Sequence, residues 1–383
     1  MRIKNINIYF IKEKNYESIY PRPTFYAQGF VFIKLTSEDN IVGFGEPSPY
    51  ITSPENLVKI IEKIYLKYFK KKNLTTTYTE RLKKKSHNNL LNSLLPAFDQ
   101  AIFEIFSKER NMKVSKILSK KSLSNLDFYA SGGMLFEGQN YEKLLNEAIK
   151  SKRDGYSGYK YRPLMPKNNL SHQQRMENPP PLDIKAIEKF SSKLRSKLGV
   201  KFKIMIDLGC RCKNIKDTKH LFEIFKEHNY YFVEEPFKRN FNSYKLLNKI
   251  KTKINIAGGE HINNIQQFHT WNKKGYFNFF QPDTNLMLFS EINLMIKTIG
   301  HEKIILHNWC NKINFLSNIN FAFSLKKKVL VEKNIIPNPY DNFFNTGKLE
   351  VKNGKIDFKE TIGYGLRIKN SKLQNLEIYE KKI

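Results

Sequence analysis

Three apolar runs open the chain, RIKNINIYFI, FVFIKLT and NIVGFG. Their alternation, with Ser37, Glu38, Asp39 and Asn40 turning between the last two, predicts a β-meander. Between residues 54 and 122 the apolar positions move to helical spacing, in ENLVKIIEKIYLKYF and again in LLPAFDQAIFEIFSKE. Residues 1–125 therefore read as an α+β unit of ordinary domain size. From Phe128 the pattern becomes short apolar strands, each followed by an amphipathic helix. Eight such strands can be counted: FYASGG, GYKYR, KFKIMID, YFVEEP, INIAGGE, YFNFFQPD, KIILHNW and KVLVEK. The intervening helices include NYEKLLNEAIKSKRD, SYKLLNKIKTK and NFLSNINFAFSLKK. Eight βα units over residues 126–340 are what a (β/α)8 barrel of the TIM type requires, and the fold class is α/β. The Asn-Gly in KLEVKNGKIDF predicts a hairpin in the 341–383 segment, which is expected to return to the N-terminal unit and complete a capping domain.

Charge changes this picture little. The chain has 66 Lys+Arg against 36 Asp+Glu, a formal +30 and a pI near 9.7. The lysines are scattered through every helix rather than gathered in one stripe, so a nucleic-acid partner is not expected, whereas a small anionic substrate gains from the field. No apolar run approaches the roughly 18 to 20 residues of a spanning helix, and the first fifteen residues lack a signal-peptide core, so a cytoplasmic protein without a membrane partner is expected. Cys210, Cys212 and Cys310 are too few for a disulfide framework and read as reduced bystanders.

In such a barrel chemistry stands at the C-terminal ends of the strands. The third, fourth and fifth strands end on Asp207, Glu234 and Glu260. Three carboxylates converging on one mouth repel strongly without a cation, and an all-oxygen donor set suits Mg²⁺, with Mn²⁺ as a substitute. The second strand carries Lys160 and Arg162 on its inward side, a candidate acid/base beside a fixed cation expected to lower its pKa and bind an anion. Asp283 and His307 end the sixth and seventh strands, and His261 follows Glu260 at the mouth.

With Asp207 in MIDLG, Glu234 in FVEEP and Glu260 in AGGEH, the chain resembles the enolase superfamily, in its mandelate racemase subgroup. The resemblance extends to LLPAFDQAIFEIFSKERNMKVSKIL before the barrel, NIVGFGEPSP in the cap and GYGLRI near the C-terminus. It implies that the three acids hold Mg²⁺, that Asp283 and His307 form a dyad, and that Glu332 binds a substrate carboxylate, a pairing with Lys333 or Lys328 being the alternative for Glu332. Cap loops are expected to supply specificity through Tyr20, Arg22 and Tyr26 in the first and Pro47, Ser48 and Tyr50 in the second. The implied chemistry is abstraction of the proton α to a carboxylate through a metal-stabilised enolate. No lysine stands on the sixth strand, where the muconate-lactonising subgroup carries one, which argues against lactonisation; of the outcomes that remain, the resemblance implies an acid-sugar dehydratase, a lyase of carbohydrate catabolism, acting as a homo-oligomer. The alternatives are a racemase or epimerase of a 2-hydroxy acid and, from another class, a noncatalytic basic nucleic-acid-binding protein on an inherited barrel.

Overall fold

The computed structural model describes residues 1–14, 29–120, 122–133, 140–164, 181–341, 343–344, 349, 351–356, 361–369 and 376–383. The meander forms as β1 (Ile3–Glu13), β2 (Phe30–Ser37) and β3 (Val42–Gly45), antiparallel throughout. Four helices follow: α1 (Pro54–Ile64), α2 (Tyr78–Lys85), α3 (Asn89–Glu109) and α4 (Val114–Leu118). One sheet face, with Ile6, Ile8, Ile33 and Leu35, packs on Leu57 and Ile61 of α1 and on Leu94, Phe98 and Ile102 of α3. Opposite strand faces diverge because side chains alternate, so Tyr9, Phe32 and Phe44 point the other way, onto Phe343 and Phe344. The glycines of VGFG have a steric cause. A Cβ on Gly45 would lie 1.8 Å from the Ala97 carbonyl oxygen and one on Gly43 2.1 Å from that of Ala101, so β3 can lie directly on the α3 backbone. That approach delivers Glu46, the next residue, into the domain interface.

The barrel alternates β4 (Asp127–Ser131), α5 (Tyr141–Arg153), β5 (Gly158–Tyr161), α6 (Ile184–Leu198), β6 (Lys203–Asp207), α7 (Ile215–Glu227), β7 (Tyr230–Glu234), α8 (Phe241–Tyr244), β8 (Ile256–Gly258), α9 (Ile265–Lys274), β9 (Phe279–Phe280), α10 (Phe289–Ile299), β10 (Ile305–Leu306), α11 (Lys312–Phe323) and β11 (Leu330–Asn334). All eight expected strands pair in parallel, in the order β10-β11-β4-β5-β6-β7-β8-β9. A bridge between Phe280 and Ile304 brings the two ends of that order together, leaving a nearly closed barrel. Tyr129, Met205, Phe232, Ala257 and Ile305 fill its interior. One helix falls short of expectation. SYKLLNKIKTK gives a single α turn and then a tighter 3₁₀ turn over Lys245–Lys249, in which Leu246 and Leu247 are only partly buried against the core.

At the C-terminus, β12 (Val351–Lys352) and β13 (Lys355–Ile356) make the expected hairpin around Asn353 and Gly354, both at positive φ. It stands as its own two-stranded sheet, and the Gly354 N–H donates to the Asp154 carbonyl just past α5 (3.3 Å). The return to the N-terminal sheet is made by β14 (Leu376–Lys382), antiparallel to β1. GYGLRI docks on α3, where Gly363 N–H donates to Ser107 Oγ and Tyr364 N–H to Glu104 Oε1. Among the described residues no helix is long and apolar enough to cross a membrane.

Candidate active site

Alternation along β5 decides which side chains enter the mouth. Tyr161 faces outward, its hydroxyl bonded to that of Tyr230, so Lys160 points into the barrel and is 2 % exposed. On the next three strands Asp207 and Glu234 are register partners, Glu234 pairs with Ala257, and Glu260 lies three residues beyond it. All three acids are buried. Each meets a Lys or Arg side chain: Arg162 Nε reaches Asp207 Oδ2 (2.6 Å), Lys160 Nζ reaches Glu234 Oε2 (2.7 Å), and Arg239 Nη2 reaches Glu260 Oε1 (2.8 Å).

Lys160 also bonds Glu332 Oε1 at 2.7 Å. Glu332 is otherwise held by the Trp309 indole N–H (3.0 Å) and the Asn308 backbone N–H (3.1 Å), so the expected alternatives Lys333 and Lys328 are not its partners. Lys328 instead meets Asp127. Burial works against the Lys160 ammonium, but Glu234 and Glu332 outweigh it and hold its pKa well above the usual lysine range. The expectation that Arg162 would lower it is overturned, because the guanidinium is engaged by Asp207 while two carboxylates grip the amine. Burial pushes the Glu234 carboxyl up to about 8, with Asp207, Glu260 and Glu332 adding to the rise against Lys160. Glu260 goes the other way: burial would raise it, but His307 and His261 hold it well below the usual carboxylate range.

His307 stands just past β10, 2 % exposed. Its Nδ1–H donates to Asp283 Oδ2 at 2.8 Å, since a carboxylate offers only acceptors, and its Nε2 lies 3.3 Å from Glu260 Oε2. Burial opposes the imidazolium, yet Glu260 and Asp283 keep its pKa well above the ordinary histidine value. His261 Nε2 lies 2.9 Å from Glu260 Oε1, and the half-exposed Tyr50 ring from the cap meets the His261 ring edge-on at 5.0 Å. Arg22, with Tyr20 and Tyr26, falls outside the described residues.

Several contributors were not anticipated. Gln281, two residues before Asp283, donates to Glu234 Oε2 (2.6 Å), and a polar residue at a strand end was the available signal. Arg239 grips Glu235 through Nε (2.6 Å) as well as Glu260, four residues beyond the acid it clamps. Glu46 accepts from the Asn311 and Asn314 backbone N–H groups at 2.8 and 3.1 Å.

The donor set fits a hard divalent cation: three buried carboxylates on consecutive strand ends, each already attracting positive charge. Among the described residues the group whose ligand atoms all lie within 4.8 Å of one another is Glu235, Glu260 and His261, which shares only Glu260 with the expected set. Lys160 and Arg162 engage Glu234 and Asp207 separately, whereas Arg239 draws Glu235 and Glu260 together.

Solved structures of the same fold span the whole chain. An enolase from the Sargasso Sea environmental genome superposes with a TM-score of 0.80 at 19% identity, covering 100% of this chain and 98% of that one. The 3,6-anhydro-D-galactonate cycloisomerase of Zobellia galactanivorans gives 0.77 at 21% identity, with 98% and 100% covered. A mandelate racemase/muconate lactonizing enzyme-like protein of Roseovarius sp. TM1035 gives 0.77 at 18%, with 96% and 93% covered. No curated protein sequence matches the chain. A family profile described as enolase C-terminal domain-like matches residues 143–372, more than half of the sequence and most of the barrel, and the chain thereby belongs to that family of enzymes, within the enolase superfamily.

Proposed function

We propose that the protein is a magnesium-dependent dehydratase of a sugar acid, an aldonate or aldarate, and that it yields a 2-keto-3-deoxy acid. The carrying observation is the pairing of the His307 imidazole with Asp283 at 2.8 Å, beside a buried carboxylate cluster that Lys160 enters from another strand. Asp207, Glu234 and Glu260 would hold the ion, which supplies Lewis-acid stabilisation of the enolate when bound. Arg162 and Glu332 orient the substrate carboxylate, and Tyr50 and His261 border the mouth beneath the cap. His307, charged and aimed by Asp283, gives its Nε2 proton to the departing 3-hydroxyl, and Lys160 takes the α-proton as the free amine, a form it reaches only once its bonds to Glu234 and Glu332 are broken. The C2–H and C3–O bonds break, water leaves, and the resulting enol tautomerises to the ketone.

Two proton-active groups on separate strands would also serve inversion of a 2-hydroxy acid, so the test must tell the outcomes apart. Purified protein with Mg²⁺ is incubated with a panel of mono- and diacid sugars, and 2-keto product is read with semicarbazide. Product from at least one acid is expected. Inversion of the α-carbon without 2-keto product would replace dehydration by racemisation.

A further inference from the structure

The helix that follows His307 carries a polar stripe through an apolar core. In α11 the side chains of Ile313, Leu316 and Ile319 are buried in the ordinary way, yet Asn314 and Asn318 are fully buried too, and Asn311 at the N-cap is nearly so. The spacing 311, 314, 318 puts the three on one helix face. Burying an amide is costly unless its donors and acceptors are met, so a stripe of three demands partners.

Asn314 meets them completely. Its Nδ2 donates to Asp283 Oδ1 at 2.8 Å and to Asn308 Oδ1 at 3.4 Å, while its Oδ1 accepts from Gln100 Nε2 (3.2 Å) and Thr284 Oγ1 (3.1 Å). A flipped amide would aim oxygen at the Asp283 carboxylate and nitrogen at the Gln100 amide, so this network admits one orientation. Gln100 is itself fixed: its Nε2 also donates to the Thr284 carbonyl and its Oε1 accepts from the Glu46 N–H, both within 3 Å. Glu46 in turn binds the Asn314 backbone N–H. Gln100 belongs to α3 and Glu46 follows β3, so the N-terminal unit is linked to Asp283 of the barrel through the Asn314 amide.

On Asp283 the division of labour is clear. Oδ2 faces His307 Nδ1, and Oδ1 receives Asn314 together with two longer contacts, from the Asn285 N–H (3.2 Å) and Asn318 Nδ2 (3.3 Å). The shortest bond to Oδ1 is the one that stops the carboxylate from rotating out of line with the imidazole. We propose that Asn314, seated by Gln100 and Glu46 of the N-terminal unit, is a positioning residue that fixes Asp283 in line with His307. This rests on reading Asp283 and His307 as the reacting pair. Docking of the cap thereby becomes a condition for correct dyad geometry rather than only a cover over substrate.

The test reads the dyad without substrate. In protein labelled with ¹⁵N-histidine, the His307 Nδ1 proton held by Asp283 gives a downfield resonance whose exchange with water can be timed. Asn314→Leu, which keeps the volume and removes the donor, should shift that resonance upfield and speed its exchange about tenfold or more, the scale of one hydrogen bond to a charged group. Gln100→Leu should move both quantities in the same direction by less. Asn320→Ala is the control, since among the described residues the Asn320 amide bonds only the Leu316 carbonyl of its own helix, and it should change neither. An unchanged resonance and exchange rate in folded Asn314→Leu would refute the proposal, as would the lack of a protected proton in the wild type. If Asn314→Leu does not fold, Gln100→Leu decides alone, and no change there refutes it. Because no turnover is needed, a protein that makes no 2-keto acid still reports on Asn314, and an active dehydratase with an unaltered resonance in Asn314→Leu loses only this proposal.

Discussion

Glu46 is a buried acid whose cost should be visible in how stability varies with pH. Burial pushes its carboxyl from 4.5 up to about 7, and the nearby Asp283 charge adds to this, against the N–H groups of Asn311 and Asn314 that favour the anion. In the unfolded chain the group titrates at its ordinary value, so as pH rises the unfolded state gives up the proton first. The contribution of protonated Glu46 is therefore complete below about 4.5 and lost as pH climbs through about 7. At about 1.4 kcal/mol for each pH unit between the two values, the loss between about pH 5 and pH 8 is on the order of 2 to 3 kcal/mol. Glu46→Gln keeps the shape of the protonated acid and cannot ionise. Its amide nitrogen must face one of the N–H donors that the carboxylate accepted, which costs roughly 1 to 2 kcal/mol at every pH. Urea denaturation of both proteins at four pH values across this range isolates the effect. Other titrating groups, including Asp99, which burial also raises to about 7, are common to both and cancel in the difference. The advantage of wild type over Glu46→Gln should shrink, and can change sign, toward pH 8. Stability curves that run parallel from pH 5 to pH 8 would refute the reasoning.

Glu260→Ala should remove the magnesium-dependent rise in melting temperature that the wild type shows, a rise of a few degrees at about 100-fold excess over Kd; an equal rise in the variant would exclude Glu260 as a ligand. Asp283→Asn should abolish turnover while magnesium still raises the melting temperature as in wild type, and a lost metal response would move Asp283 from the histidine to the ion. His307→Asn should stop loss of water while exchange of the α-proton with D₂O, followed by NMR, survives. Exchange that dies with His307 and persists in Lys160→Ala would reverse the two roles.

The barrel was legible because parallel strands buried on both faces read as short apolar runs, and the acids ending three of them were visible in the same runs. Even β9 and β10, two residues each as ladder segments, sit inside longer apolar stretches that mark them. What the sequence hid was partnership. Lys160 and Glu332 are 172 positions apart, and nothing local says that two carboxylates rather than one arginine govern that amine. The polar stripe of α11 was hidden differently. Asparagine is abundant throughout this chain, so Asn314 and Asn318 passed as background, although their i, i+4 spacing inside an apolar helix was a usable signal. The tail was half legible: its Asn-Gly fixed the hairpin turn, but β14, which does return to β1, carries mostly exposed side chains and no strong pattern.

Charge at two scales explains why an anionic substrate and a metal ion belong to one hypothesis. The +30 of the whole chain acts at a distance, and beyond about 8 Å it is screened at physiological ionic strength. Inside the mouth the local balance has the opposite sign. Asp207, Glu234, Glu235, Glu260, Asp283 and Glu332 are all buried there, and the cations in contact with them are Lys160, Arg162, Arg239 and a protonated His307. Six carboxyls against four cations leave an excess of acid, which adds to the burial that pushes Glu234 up. A sugar carboxylate drawn in by the basic surface would meet repulsion at this cluster unless a divalent cation lay between them. Under the proposed function, recognition of an acid substrate and occupancy of the three carboxylates by magnesium would therefore be a single requirement of this mouth.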